Sequence, residues 1–249
     1  MNIQNITLFV ILLTGNILLT SSVLAQPTSE ELNFELRFGW IKGGEVHYRT
    51  TPSIHQQQNT IKANLNGYTT GFTNVLYGVN DAYESQLDPT TLLPFQSSKK
   101  LKEKNFNYVE NIQYQQKAGL VISDRSGKHQ VAEGICDISA LFFKLRFSGE
   151  LHNLEINQIL KIPFWDTNEW YYLEIKYAGE ENIRTKLGNF RCQRFEPLHV
   201  SGRFFDKQNP LNIWITSDSR KLPVLTELNF TIGSVKCELL DFKQDETDG

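Results

Sequence analysis

Carboxylates beside aromatic side chains are the part of this sequence that comes closest to a catalytic site. Residues 165–174 contain the acids Asp166, Glu169 and Glu174 and the aromatic residues Trp165, Trp170, Tyr171 and Tyr172. Because paired carboxyl groups cleave glycosidic bonds and aromatic rings bind sugars, one hypothesis is a glycan hydrolase. The alternative, which we favour, is a hairpin turn at Asp166-Thr167-Asn168 whose flanking aromatic side chains pack across the two strands.

A hydrolytic triad is the second catalytic arrangement to consider. Ser217, His199 and Asp218 supply the residue types, but the five histidines of the chain share no spacing, and exposed surface residues explain the same set. The sequence contains no G-x-S-x-G, H-E-x-x-H, P-loop or G-x-G-x-x-G motif. We therefore predict no catalytic residue and no cofactor.

The three cysteines are Cys136, Cys192 and Cys237, so at least one of them is unpaired. Cys192 and Cys237 lie in strand-like segments and can be bridged only if those strands are neighbours. The alternative is that all three are small buried hydrophobic residues. None has the spacing to another cysteine or to a histidine that a metal site needs, and we expect no metal.

The charge balance limits the classes of partner. The chain has 25 Lys and Arg against 28 Asp and Glu, a formal net charge of −3. Nucleic-acid binding requires a basic face, so we expect no nucleic-acid partner. The same balance argues against strong electrostatic docking of the whole molecule on an anionic membrane.

The N-terminal segment has the pattern of a secretory signal peptide. An apolar run from Ile6 to Leu19 is followed by small residues that end in Val23-Leu24-Ala25. The run is shorter than the roughly 20 residues that cross a bilayer core. We predict cleavage after Ala25, no transmembrane segment in the mature chain, and a location in the periplasm or cell envelope.

The elements behind this segment are mainly strands, because apolar and polar residues alternate. Phe34 to Trp40 alternates, a turn is expected at Gly43-Gly44, and Glu45–Thr50 alternates again, which predicts a hairpin. Near the end, apolar positions within 224–242 change from even to odd across Gly233-Ser234. We expect one long strand with a β-bulge at that point.

Two short segments have helical spacing instead. Phe72, Val75, Leu76 and Val79 form one apolar face, and a second stripe runs from Ile135 to Leu145. The sequence shows no linker or repeat. We therefore expect a single mainly-β domain over 26–242, followed by a disordered acidic tail over 243–249.

Several segments, in their order and spacing, match a known pattern. They are Phe38–Val46, Tyr83-Glu84-Ser85 to Leu93-Pro94, the helix Asp137–Arg146 with Gly149, Trp214–Asp218, Lys221–Val224 and Ile232–Val235. Together they resemble the bacterial envelope family called domain of unknown function 3108 over nearly the whole mature chain. The resemblance implies a curved antiparallel sheet, a half-open β-barrel or clam with helices at its mouth. Carriers of lipoproteins and other lipid-like ligands share that shape, and the family name implies no activity.

The aromatic residues indicate what the interior of such a sheet holds. Bulky apolar residues on a concave face either fill a core or leave a cavity for an apolar ligand, and both alternatives remain open. The candidates for a cavity lining are Trp40, Tyr48, Phe72, Phe142 and Trp214.

These observations rank three functions. The first is non-catalytic binding of an apolar or lipid-like ligand, or of a lipidated protein, inside the curved sheet. The second is a structural or adaptor role that engages another envelope protein through a sheet edge or charged hairpin. The third is the glycan hydrolase.

Overall fold

The computed structural model describes residues 29–76, 78–104, 106–198, 211–230 and 233–245. The predicted signal peptide lies outside these ranges. The strands are β1 (Ser29–Phe38), β2 (Ile41–His55), β3 (Gln58–Thr69), β4 (Asn80–Leu87), β5 (Pro94–Glu103), β6 (Phe106–Gln115), β7 (Leu120–Ser123), β8 (Gly127–Gln130), β9 (Ile159–Asp166), β10 (Glu169–Thr185), β11 (Gly188–Pro197), β12 (Leu211–Thr216), β13 (Pro223–Phe230) and β14 (Gly233–Asp245). The helices are α1 (Gly71–Leu76) and α2 (Ile138–Phe147).

All the strands belong to one antiparallel sheet. Its order is β8-β7-β6-β5-β4-β3-β2-β1-β14-β13-β12-β11-β10-β9. Consecutive strands are therefore neighbours in two meanders, which meet where β1 pairs with β14. The edges are β8 and β9, and the connection between them, residues 131–158, contains α2.

The two edge strands of the sheet, β8 and β9, approach each other. A parallel bridge joins Cys136, which follows β8, to Phe164 of β9. The indole Nε1 of Trp170 donates to the carbonyl oxygen of Gln130 at 3.0 Å, which links β10 to β8. The sheet therefore curls strongly without closing into a barrel. The predicted fold class, a curved antiparallel sheet with two short helices, is confirmed.

The predicted hairpin at the start of the domain is present, but its turn lies four residues earlier than expected. Phe38 pairs with Ile41, so Gly39 and Trp40 form the loop, and Gly39 adopts a φ of +58° that favours glycine. Gly44 lies inside β2 instead, where an added Cβ would come within 2.5 Å of the carbonyl oxygen of Tyr68. This glycine permits a close approach of two strands and not a turn.

The C-terminal part of the chain also differs from the prediction. The segment 224–242 is two strands, β13 and β14, and the chain reverses between Phe230 and Gly233. The change of apolar positions marks this reversal and not a bulge at Gly233-Ser234. β14 continues to Asp245 because β1 supplies a partner up to Ser29. Residues 243–245 of the predicted tail therefore belong to the sheet, and 246–249 lie outside the described ranges.

The helix α2 lies on the concave face of the sheet, and the hydrophobic core forms between them. The side chain of Asp137 caps its first turn by accepting a hydrogen bond from the backbone N–H of Ala140 at 2.9 Å. The hydroxyl of Tyr48 on β2 donates to the carbonyl oxygen of Ser139 at 3.2 Å. Both helices were predicted, and both are present. Within the described ranges no helix has the length and apolar character needed to cross a bilayer.

Candidate functional site

A cavity of about 290 Å³ lies between α2 and the concave face of the sheet. Its apolar wall consists of Ile138, Leu141, Phe142, Leu145, Leu160, Phe164, Tyr171, Leu173, Ile175, Phe195, Pro197, Leu211, Ile213, Ile215 and Pro223. Its polar lining includes Ser85, Ser97, Ser98, Lys99, Asp137 and Asp166, together with Arg146 on α2 and Thr226 on β13. The cavity is thus mainly apolar along β9–β13 and α2, and mainly polar along β4 and β5.

Local periodicity explains how the apolar wall forms. Ile138, Leu141, Phe142 and Leu145 are spaced at i, i+3, i+4 and i+7, so one face of α2 points at the cavity. Strands contribute every second residue, as Leu173 does on β10. A long, bulge-containing strand such as β10 therefore lines much of the cavity with alternate side chains.

The polar wall is centred on a buried lysine of β5. Lys99 is paired with Asp166 in the β9–β10 turn, and its Nζ donates to Thr167 Oγ1 at 2.6 Å. Nζ also lies 5.8 Å from the ring centroid of Tyr83, within the range of a cation–π contact. The pair links β5 to the β9–β10 turn across the opening of the curled sheet, and it places a cation and an anion beside the cavity.

A second polar group of this wall is the carboxylate of Asp137. It accepts hydrogen bonds from Ser85 Oγ at 2.7 and 2.8 Å and from the hydroxyl of Tyr114 at 3.3 Å. Burial raises the pKa of Asp137, and its hydrogen bonds oppose that shift. Ser97 Oγ lies 3.0 Å from the hydroxyl of Tyr114, which extends the hydrogen-bonded chain.

The position of α2 over the cavity depends on a buried ion pair at its C-terminal end. The guanidinium of Arg146 donates to both carboxylate oxygens of Glu30 on β1, at 2.6 and 2.7 Å. It also donates to the carbonyl oxygens of Lys221 at 2.5 Å and Arg220 at 3.1 Å. One side chain therefore fixes the helix to β1 and to the β12–β13 turn.

Of the five candidate lining residues, Phe142 lies in the cavity wall. Tyr48 is fully buried beneath it, with ring centroids 4.4 Å apart. Trp214 alternates with Ile213 and Ile215, which line the cavity, and therefore points to the opposite face. Tyr48 and Trp214 thus belong to the packing around the cavity and not to its lining.

The other two candidates are exposed at the end of the sheet. Trp40 is 84 % exposed in the β1–β2 turn, and Phe72 is 73 % exposed on α1. Neither contributes to the cavity wall, which corrects the expected lining. The sequence shows that these segments contain aromatic residues, but it does not show which side of the sheet or helix faces inward.

Of the three carboxylates of the hydrolase hypothesis, Glu169 is exposed opposite Asp166 across the β9–β10 turn, and Glu174 lies apart from both. Asp166 lies in the cavity wall and is paired with Lys99. Glu174 alternates with Leu173 on β10, so it points to the convex face, where it pairs with Lys161 at 2.7 Å. The segment 166–168 is the expected hairpin turn between β9 and β10.

The residues of the hypothetical hydrolytic triad have other surroundings. Ser217 Oγ donates to Glu180, and His199 of the proposed triad lies outside the described ranges.

The two cysteines considered for a disulfide are not on neighbouring strands. Cys192 is on β11 and Cys237 is on β14, and the strands β12 and β13 lie between them. At about 4.8 Å per strand spacing they are too far apart for a disulfide. Burial raises the pKa of both thiols to about 12.

Sequence reasoning missed the polar wall. Lys99 belongs to the basic run Lys99, Lys100, Lys102 and Lys104, a pattern typical of solvated surface, yet its alternate position in β5 turns it inward with Ser97. The available signal was that Ser97, Lys99 and Leu101 share one face of the strand. Leu101 is buried, so the same face had to be internal.

Comparisons with known proteins place this fold among uncharacterised ones. The family model described as "Protein of unknown function (DUF3108)" matches residues 33–240. No curated protein matches the sequence. A crystal structure of a β-barrel-like protein of domain of unknown function DUF1849 from Brucella abortus is 7 % identical, covers 89 % of this chain and 100 % of its own, and has a TM-score of 0.58.

Two other solved structures are more distant. A DUF1089 family protein from Pseudomonas aeruginosa is 9 % identical over 77 % of this chain and 87 % of its own, with a TM-score of 0.35. The hypothetical protein CT021 from Chlamydia trachomatis is 8 % identical over 91 % and 92 %, with a TM-score of 0.37. The Brucella protein supports the β-barrel-like fold, and none of the three assigns an activity.

Proposed function

The chain belongs to the DUF3108 family, whose description assigns no function, and we propose that it binds an apolar or lipid-like ligand in the cavity without reacting it. The observation that carries the proposal is the cavity itself, about 290 Å³ with one apolar and one polar wall. A solid core would fill this volume with side chains. A ligand with an acyl chain and a polar end matches both walls.

The volume limits the size of the ligand. With about 30 Å³ per water-sized group, the cavity accommodates roughly ten such groups, or one short or partly inserted acyl chain. Burial of about ten CH₂ groups at ~0.8 kcal/mol each contributes up to about 8 kcal/mol. That corresponds to a Kd near 1 μM before the costs of association, so the chain alone supports moderate affinity.

The polar wall supports an amphiphile over a plain hydrocarbon. Lys99 and Asp166 offer a cation and an anion at the cavity, and Ser97 and Ser98 offer hydroxyls. A polar ligand end can exchange hydrogen bonds with these groups, whereas a hydrocarbon end would only bury them. We therefore expect the acyl chain to lie along α2 and β9–β13, with its polar end beside β5.

Export is part of the proposal. The pattern of residues 1–25 supports cleavage after Ala25, and β1 begins at Ser29, so cleavage removes no described strand. The intact mass of protein isolated from its own cells tests this directly. A mass that begins at Gln26, found in a periplasmic or envelope fraction, is the expected result; an uncleaved chain in the cytoplasm contradicts it.

The ligand is tested by native mass spectrometry of the protein purified from its own envelope, followed by organic extraction and lipid analysis. We expect a bound amphiphile at near-equal molar amount. Leu160→Trp adds bulk to the cavity and should lower that occupancy by tenfold or more. Lys161→Trp, at the exposed neighbouring position on β9, is the matched control and should retain the ligand.

Either of two results would count against ligand binding. One is equal occupancy in Leu160→Trp and Lys161→Trp with unchanged melting temperatures, which would place the lipid elsewhere. The other is a protein that is bare from its own envelope and binds no fatty acid in titration. Crosslinking to a single envelope protein in that case would favour the adaptor role.

A further inference from the structure

An exposed apolar surface lies where the β1–β2 turn and the helix α1 meet, at one end of the strands, and we call it the end patch. It consists of Phe38, Trp40, Ile41, Phe72, Val75 and Leu76, all at least 41 % exposed. Phe38, Trp40 and Ile41 lie in and beside the β1–β2 turn, and the others are on α1. Clustered exposed apolar side chains are typical of protein or membrane interaction sites.

Backbone contacts hold the two parts of the end patch together. The N–H of Thr70, directly before α1, donates to the carbonyl oxygen of Gly43 on β2 at 3.0 Å. A Cβ on Gly43 would lie 3.6 Å from Thr73 Oγ1 of α1. The helix therefore sits beside the β1–β2 turn, and the apolar side chains of both segments project from the same end.

Exposed lysines border this uncharged surface on the side of α1. The helix α1 contains no charged residue. Lys42, which follows the β1–β2 turn on β2, is paired with Glu45 at 2.5 Å and contributes little net charge to the border. Lys104 lies behind the helix, because its N–H donates to the carbonyl oxygen of Gly78 at 2.8 Å. Lys102 is exposed on the same end of β5. Lys102 and Lys104 therefore form a cationic border on the α1 side of the end patch, although the chain as a whole carries a net charge of −3.

The end patch is also joined to the cavity. Leu211, which lines the cavity, pairs with Leu228, which pairs with Val235, which in turn pairs with Phe38 of the patch. This cross-strand row covers three strand spacings, or about 14 Å. Glu30, at the α2 anchor, is eight residues from Phe38 on β1, about 27 Å away. The end patch therefore lies beside the end of the cavity that α2 leaves uncovered.

We propose that the end patch docks the protein on an anionic lipid surface. The residue types favour a bilayer as the occupant: the most exposed side chain is a tryptophan at a turn, and tryptophan concentrates at the membrane interface. The patch protrudes on a turn and a helix, and its border of lysines complements anionic headgroups. Docking would bring the cavity end to the source of a lipid-like ligand.

The test is co-flotation of the full mature protein with vesicles of phosphatidylcholine, with and without phosphatidylglycerol. We expect binding to the anionic vesicles that weakens at high salt. Trp40→Glu should lower the partition coefficient by about tenfold or more. Ile54→Glu is the matched control, because Ile54 is 74 % exposed near the β2–β3 turn at the opposite end of the sheet and should bind like wild type.

The lysine border has its own pair of variants. Lys104→Gln should lower binding to anionic vesicles by about fivefold and leave binding to neutral ones unchanged. Lys62→Gln is the control, because Lys62 lies on β3 and pairs with Glu84 away from the patch. Quenching of tryptophan fluorescence by brominated acyl chains should also fall sharply in Trp40→Phe, since Trp165 and Trp214 are buried and the half-buried Trp170 lies in the β9–β10 hairpin, away from the end patch.

Three results would overturn the docking proposal. They are the absence of wild-type binding to either vesicle, equal binding by Trp40→Glu and Ile54→Glu, and self-association abolished by Trp40→Glu without vesicle binding. The last would assign the patch to a second copy of the chain. Docking and ligand binding fail separately, because empty protein can be floated and because fatty-acid titration of Trp40→Glu needs no vesicle.

Discussion

The buried pair of Arg146 and Glu30 gives the sharpest prediction about what holds the cavity together. Arg146→Met leaves the Glu30 carboxylate buried with Gln244 Nε2, at 2.5 Å, as its remaining side-chain donor. Glu30→Gln leaves the guanidinium buried against neutral acceptors only, namely the new amide oxygen and the carbonyl oxygens of Lys221 and Arg220. Each single variant therefore creates an uncompensated buried charge, whereas the double variant removes both charges.

The magnitude follows from this geometry. Four hydrogen bonds to a charged group would contribute about 6–12 kcal/mol at 1.5–3 kcal/mol each, but desolvation of two ions costs several kcal/mol apiece. The net loss for breaking such a pair from one side is about 3–5 kcal/mol. For a chain of this size that is a fall of roughly 6–20 °C in melting temperature. The double variant should lose less than the sum, with a coupling free energy of about 2–3 kcal/mol.

The assay is urea unfolding of wild type, both single variants and the double variant, followed by tryptophan fluorescence. Because Arg146 also borders the cavity, ligand occupancy should fall in the single variants along with stability. A single-variant loss below about 1 kcal/mol, or losses that simply add in the double variant, would refute the assignment of this pair as the anchor of α2.

Two further predictions concern a buried acid and two glycines. The raised pKa of Asp137 means that its contribution to stability is full below about 3.8 and is lost as pH rises through the folded-state pKa. Asp137→Asn keeps the helix cap, so the difference in unfolding free energy between wild type and this variant should change with pH in that direction; a constant difference contradicts it. Gly44→Ala should cost about 1–3 kcal/mol, because its Cβ would meet a backbone carbonyl at 2.5 Å. Gly67→Ala, whose Cβ would meet only Val46 at 3.8 Å, should be neutral or stabilising, and equal chemical-denaturation midpoints for the two would be inconsistent with the strand geometry.

Most of the fold was predictable from local pattern, because alternation and helical spacing are local properties. Several of the strands, the β1–β2 hairpin and both helices follow from it, whereas β4, β7 and β8 were not predicted. Chain reversals were harder to place. A change of apolar positions across Gly233-Ser234 arises equally from a bulge and from a tight turn, and only pairing with β1 and β13 decides between them.

The cavity was less predictable, since its lining depends on which side of each element faces inward. Phe142 was identified because a helical stripe has one apolar face. Trp40 and Phe72 were misplaced because apolar type alone does not separate a residue that lines a cavity from one that is exposed. Lys99 was missed because a lysine in a charged run is usually solvated, and its burial depends on an aspartate 67 residues away.

The polarity of the β4–β5 wall is the strongest physical argument that the cavity serves a ligand. A buried ion pair such as Lys99 with Asp166 seldom stabilises a fold more than apolar residues of the same volume. Asp137 likewise carries a burial cost that shows in its raised pKa. Apolar side chains on both walls, like most of those on β9–β13, would avoid this burial cost. The polar wall therefore supports the proposed amphiphile over a plain hydrocarbon, with the polar end beside β5 and the acyl chain along the opposite wall.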